Sequence, residues 1–266
     1  MHQADAVSVA TSFDYALPIE QQIPLIAEAG FTHFSLGADV GHSEYLAAAG
    51  QRRLRRLAEA HGLGIDTIHG PRADQPDALA TLTAAVAAAA ALDVPVVVVH
   101  AGPFDFPGAE LSSRLDQLLR TCEQLAPVLA QAGVHLALEN VLPGPATDLV
   151  CQAVESLGDA HFGFCYDSSH DQIEGPRPLD LLARLRGRLI AVQLSDRIRD
   201  FVDHVLPGEG FIQWHGICDE LRRARFDRPL LLEIMTTHSA EKDPRRFLEL
   251  AHRQAVALSR EIREGR

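Results

Sequence analysis

Residues 94–100 read VPVVVVH, and the valine run is apolar at both parities of an extended chain. A strand with one wet face alternates apolar and polar side chains, whereas a strand in a parallel sheet wrapped by helices is covered on both faces. The run therefore points to a parallel sheet. Outward from it, short β-like runs alternate with longer stretches of helical spacing, from near residue 6 to the C-terminus. The strand candidates are 6–10, 33–36, 64–69, 94–100, 134–139, 161–166, 189–194 and 229–234, each followed by a helical candidate. After the fourth strand, Leu111, Leu115, Leu118, Leu119, Cys122, Leu125, Ala126 and Leu129 share one helix face. After the first, Ile19, Ile23, Ile26, Ala27 and Gly30 do the same, and 80–92 (ATLTAAVAAAAAL) is an alanine-rich helix suited to close approach to a sheet. Eight such pairs predict an α/β chain folded as a (β/α)8 TIM barrel, a single domain over residues 1–266. The competing doubly wound sheet would carry a glycine-rich phosphate turn after its first strand, and the sequence there, residues 10–15, is ATSFDY.

The totals agree with an ordinary globular chain. Its 266 residues are 47% hydrophobic and 23% charged, apolar enough for a large core. Acidic residues outnumber basic ones by 36 to 24, a field that repels phosphate backbones and anionic lipid, so no nucleic acid and no membrane is expected as a partner. No export signal opens the sequence and no run reaches membrane-spanning length. The four cysteines form no CxxC pair, which fits reduced thiols and a cytoplasmic location. A small-molecule substrate is the expected partner, and a homo-oligomer is allowed but not specified.

In parallel barrels, functional groups lie where strands end and the following loops begin. Each of the last six strand candidates ends in or runs into a polar residue: His69, His100, Glu139, Asp167, Gln193 and Glu233. A single polar residue at a strand end is often only the start of a solvated loop. Three carboxylates meeting at one mouth are harder to dismiss, because like charges about 4 Å apart cost roughly 4 kcal/mol per pair at an effective dielectric near 20. A divalent cation removes that penalty; without one, a carboxyl should hold a proton.

The sequence resembles the xylose-isomerase-like TIM barrels, a family of sugar phosphate isomerases and epimerases related to the apurinic-site endonucleases. The resemblance rests on IHGP (68–71), VHAGP (99–103), LENV (138–141), YDSSH (166–170), VQLSD (192–196), HVLPGEG (204–210) and LLLEI (230–234), which follow the family's order across most of the chain. It implies metal ligation by Glu139, Asp167, Gln193 and Glu233. Gln193 departs from the family's usual histidine and offers an amide oxygen. An all-oxygen set implies one divalent ion, magnesium or manganese in preference to zinc. The endonuclease branch also requires an aspartate where this chain has Val202, so its multinuclear site is incomplete.

The same resemblance implies substrate contacts from His69, His100, His170, His204 and Glu209, and from a basic residue after the seventh strand. Spacing prefers Arg199 for that role, with Arg197 expected on a solvated loop. Trp214 is expected to pack beneath the next helix. The implied activity is isomerisation or epimerisation beside a carbonyl, with Glu139 and Glu233 as the catalytic proton-transfer groups on opposite sides of the substrate carbon. A lyase of the inosose or dehydroshikimate dehydratase type remains open, as do abasic-site cleavage and a non-catalytic metabolite-binding barrel.

Overall fold

Branching at Cβ favours extended backbone, and Val96–His100 forms the fourth of eight strands in the computed structural model, which describes residues 6–173, 175–199 and 203–265. Val202 and the N-terminal residues 1–5 lie outside that description. The strands are β1 (Val7–Ala10), β2 (His33–Leu36), β3 (Gly64–His69), β4 (Val96–His100), β5 (His135–Glu139), β6 (Phe162–Asp167), β7 (Leu189–Gln193) and β8 (Leu230–Leu232). The expected β4 was longer by two residues. Pro95 lacks the N–H that a ladder needs, and pairing begins after it.

All neighbouring strands pair in parallel in the order β7-β6-β5-β4-β3-β2-β1-β8. Leu194 N–H donates to Leu231 O at 3.0 Å and Glu233 N–H to Leu194 O at 3.0 Å, which brings the two ends of the sheet together. The chain is a (β/α)8 TIM barrel. Helices α1 (Ile19–Ala29), α3 (Ala48–His61), α4 (Ala78–Ala91), α5 (Leu111–Ala132), α6 (Pro145–Ser156), α8 (Asp180–Leu185), α9 (Trp214–Ala224) and α10 (Pro244–Glu264) alternate with the strands. Two single-turn helices that periodicity did not predict, α2 (Val40–Ser43) and α7 (Ser168–Asp171), follow β2 and β6.

The alternation of side chains along each strand separates two layers. Val97, Val99, Leu136, Leu138, Phe164 and Val192 join the large core under the helices, whereas Val96, Val98, Ala137, Cys165 and Ala191 form a small cluster of their own. On the second parity the strands β4 to β7 end in His100, Glu139, Asp167 and Gln193. Register aligns these ends, because His100 pairs with Glu139 and Asp167 with Gln193. β3 carries one residue more than its partner between Phe34/Ile65 and Leu36/Ile68, so Asp66 and Thr67 face Ser35 alone. The four cysteines are free and buried, and among the described residues no helix is long and apolar enough to cross a membrane.

Candidate active site

Glu139 ends β5 with its side chain fully buried, surrounded by three imidazoles. His100 Nε2 lies 3.3 Å and His170 Nδ1 3.1 Å from Oε1; His69 Nε2 lies 3.3 Å from Oε2. Oε2 pairs with His69 by charge and accepts no well-directed hydrogen bond. Burial works against the Glu139 charge, but His100, His170 and His69 together hold the carboxyl well below the usual range. In return His69 and His170, which burial alone would neutralise, are lifted to about 9 by Glu139 and, for His170, first by Asp167. Burial keeps His100 and His204 below the ordinary histidine value.

Asp167 is equally buried and caps α7. Its Oδ1 accepts from His170 N–H at 2.8 Å and Ser169 Oγ at 2.9 Å. Its Oδ2 accepts no hydrogen bond and faces His170 Nδ1 at 3.8 Å. Asn140, one residue beyond β5, locks the two strand ends together: its Nδ2 donates to Asp167 O at 2.9 Å and its Oδ1 accepts from Asp167 N–H at 2.8 Å. Gln193 stands beside Asp167, buried, with its Oε1 engaged by the weak Cys165 thiol donor at 3.5 Å. Glu233 follows β8 and is partly open to the cavity, yet packed deeply enough that desolvation is the first cause of its shift. Burial, then the Glu139 and Asp167 charges, outweigh His69 and His170 and push it up to about 8.

A cavity of about 590 Å³ at the C-terminal mouth of the barrel is lined by His69, His100, Glu139, His170, His204 and Glu233, with Asp167 and Gln193 buried outside its lining. Coordinating atoms of Glu139, Asp167 and His170 lie within 4.8 Å of one another, as do those of His69, His100 and Glu139. An orphaned buried carboxylate oxygen costs several kcal/mol unless a cation or donor meets it, on the order of the penalty for any unpaired buried charge. Glu139 Oε2 and Asp167 Oδ2, grouped with His170, therefore fit a divalent cation, whereas Glu233 belongs to neither close group.

The loop after β7 departs from expectation. Arg197 is not solvated: it is buried, and its Nη1 donates to Ser169 O at 2.8 Å. Arg199 is exposed, with its N–H on Asp203 Oδ2, and does not line the cavity. Glu209 is not brought to the cavity either; its carboxylate accepts from Leu206 N–H at 3.3 Å and Ala240 N–H at 3.1 Å and braces the loop. Asp196 organises this loop from a buried position, accepting from Gly208 N–H, Ile212 N–H and Trp214 Nε1. That bond and its partial burial against the core account for Trp214. His204 adopts a left-handed backbone (φ 38°) and sets Nδ1 3.1 Å from Ser195 Oγ.

Sequence reasoning missed Ser12, Tyr15, Arg72, Phe104, Met235 and His238 in the cavity wall. Phe104 was the most accessible to foresight, an aromatic one step past the VHAGP motif; its ring stands edge-on to His100 and His170 at 5.0 and 6.0 Å.

The arrangement can hold a cation, donate several imidazole protons and move a proton through two carboxyls of opposite character. Comparison with known proteins finds the uncharacterised protein y4fM of Sinorhizobium fredii 25% identical over 93% of this chain and 91% of its own. Among solved structures, a D-tagatose 3-epimerase-like protein superposes with a TM-score of 0.76 at 19% identity, covering 96% of this chain and 98% of that one. The 3-keto-D-glucoside 4-epimerase YcjR of E. coli gives 0.71 at 18% identity, covering 96% and 98%. At these identities the two structures establish the shared fold. Residues 23–256 match the model of the xylose isomerase-like TIM barrel, and the chain belongs to that family.

Proposed function

We propose that the protein is a metal-dependent isomerase or epimerase of a small sugar, ketose or polyol-derived substrate that acts through an enediolate. The observation that carries this reading is the close grouping of Glu139, Asp167 and His170, whose coordinating atoms lie within 4.8 Å of one another while Glu139 Oε2 and Asp167 Oδ2 accept no hydrogen bond, with a second glutamate, Glu233, lining the same cavity as Glu139. The sugar-epimerase names of the structural neighbours support the same class.

Glu139, Asp167, Gln193 and Glu233 would hold the ion, and their oxygen donors favour magnesium or manganese. When bound, the ion acts as a Lewis acid toward the carbonyl and the negative charge that develops on it. The chain's own groups handle the proton. Without the ion, Glu139 is held well below the usual range and burial pushes Glu233 up to about 8. With the neighbouring negative charges that raise Glu233 offset by the bound ion, the two carboxyls act as base and acid from either side of the reacting carbon. Removal of the C–H proton on one side and delivery on the other inverts the carbon; delivery to its neighbour moves the carbonyl. His69, His100, His170 and His204 line the same cavity and donate to substrate oxygens. Their rings, with Phe104, displace water from one wall, which strengthens each of these contacts.

Incubation with ketoses, inososes and hydroxy-ketoacids in deuterium oxide tests the reading. The expected product has the mass of the substrate plus solvent deuterium at the reacting carbon. An ultraviolet-absorbing conjugated enone instead would assign the lyase reaction, and no consumption of any of these classes would refute both.

A further inference from the structure

Two hydroxyls in the wall of the cavity are used by none of the contacts described above. Ser12 and Tyr15 stand in and just after the 3-10 turn Thr11–Asp14 that follows β1, and both line the cavity. The Ser12 Oγ is buried and has no hydrogen-bond partner. Tyr15 Oη accepts from Asp39 N–H at 3.3 Å, and among the described residues its own proton has no acceptor. The ring is held from outside: it stands edge-on to His42, with centroids 5.2 Å apart, and His42 Nε2 lies 2.7 Å from Leu17 O. Burial, with a smaller contribution from the nearby Glu233 charge, pushes the phenol up to about 12, so the proton stays on the oxygen.

Gly37 makes room for this pair. A methyl group added there would come 2.5 Å from Tyr15 Oη and 3.1 Å from Ser12 Cβ. A side chain at position 37 would therefore displace the tyrosine hydroxyl from the wall, which explains glycine at a position whose backbone does not need it.

We propose that Ser12 and Tyr15 form a subsite for the neutral hydroxyls of a polyol chain, in which Tyr15 Oη donates to a substrate oxygen on the Glu233 side and Ser12 Oγ pairs with a neighbouring hydroxyl. The inference rests on the sugar-processing reading and adds to it the character of the group bound at this end. Ser12 and Tyr15 offer uncharged hydroxyls, which pair with neutral oxygens, while cations of the cavity wall such as Arg72 and the raised His69 are separate groups.

Tyr15→Phe keeps the ring against His42 and removes only the donor. With D-tagatose and D-psicose as probes, its KM and its calorimetric Kd on metal-free protein are expected to rise five- to tenfold, the size of one lost hydrogen bond. The change in kcat should stay below about twofold, as for a contact made equally in ground and transition states. Gly37→Ala should shift KM in the same direction by moving the hydroxyl, and Ser12→Ala by about two- to threefold. A merely structural tyrosine would lower the melting temperature of the phenylalanine variant and leave KM alone. Wild-type KM and Kd in both Tyr15→Phe and Gly37→Ala, with the parent protein binding ketose, would overturn the subsite while the proposed function stands. Failure of the parent protein to bind either ketose would overturn the subsite as stated, and failure to bind or consume any of the ketoses, inososes and hydroxy-ketoacids would overturn the proposed function with it.

Discussion

Glu139→Gln and Glu233→Gln are each expected to lower turnover by about a thousandfold or more with the barrel intact, within the range that a positioned proton-transfer group contributes. The two variants should differ in what else they change. Glutamine at 139 removes the anion that His69 and His170 share, so both imidazoles should lose their raised values and titrate lower, a change visible in histidine proton NMR. Glutamine at 233 replaces a carboxyl that holds its proton to about pH 8, so the amide is close to the native species at neutral pH and stability should be unchanged there. Full activity in both variants, measured beside their thermal unfolding curves, would refute the proton-transfer roles.

The largest stability effect is expected far from the mouth. Asp66 lies at the β3 bulge, buried, and lines a second cavity of about 600 Å³ with His33, Arg55 and Arg228. Burial pushes its carboxyl from 3.8 up to about 7, against the Thr67 N–H that donates to Oδ1 at 2.9 Å. The folded chain therefore keeps this proton to a higher pH than the unfolded chain does. Stability from the neutral carboxyl is fully present below about pH 4, falls as pH rises from 4 to 7, and is absent above that, a difference on the order of 4 kcal/mol. Asp66→Asn keeps the acceptor for Thr67 and carries no charge. It should lose this part of the pH dependence and unfold at a temperature higher than the parent above pH 7, by several degrees. Denaturation curves for the two proteins that run parallel from pH 4 to pH 8 would rule this out.

What was legible in the chain follows from where regular geometry operates. The strand period marks Val96–His100 and its neighbours, and the helical period marks α5, because a buried face imposes its spacing on the sequence. The strand ends carry His100, Glu139, Asp167 and Gln193 in register, so their meeting could be expected from order alone. Loops have no period. Arg197 and Arg199 differ by two positions and look alike in sequence, yet the hydrogen bonds of Asp196 and Asp203 fix the loop so that the first is buried and the second exposed. Glu209 looked like a pocket residue because of its motif, and its carboxylate is used to brace the loop backbone. Tyr15 and Ser12 sit in a segment that seemed notable only for lacking glycines. Their place in the wall depends on Gly37, which lies more than twenty residues away and meets them only once β1 and β2 are paired. Asp66 was hidden for a related reason: the extra residue in β3 breaks the alternation from which its direction would have been read.

Glu139 Oε2 and Asp167 Oδ2 are buried and accept no hydrogen bond, and the proposed function assigns one cation to both. Calorimetric titration of chelator-stripped protein with manganese, repeated with Asp167→Asn, tests that claim most directly. One ion per chain is expected, with affinity weakened at least a hundredfold in the variant; no stoichiometric uptake of manganese, magnesium or zinc by the parent protein would contradict it.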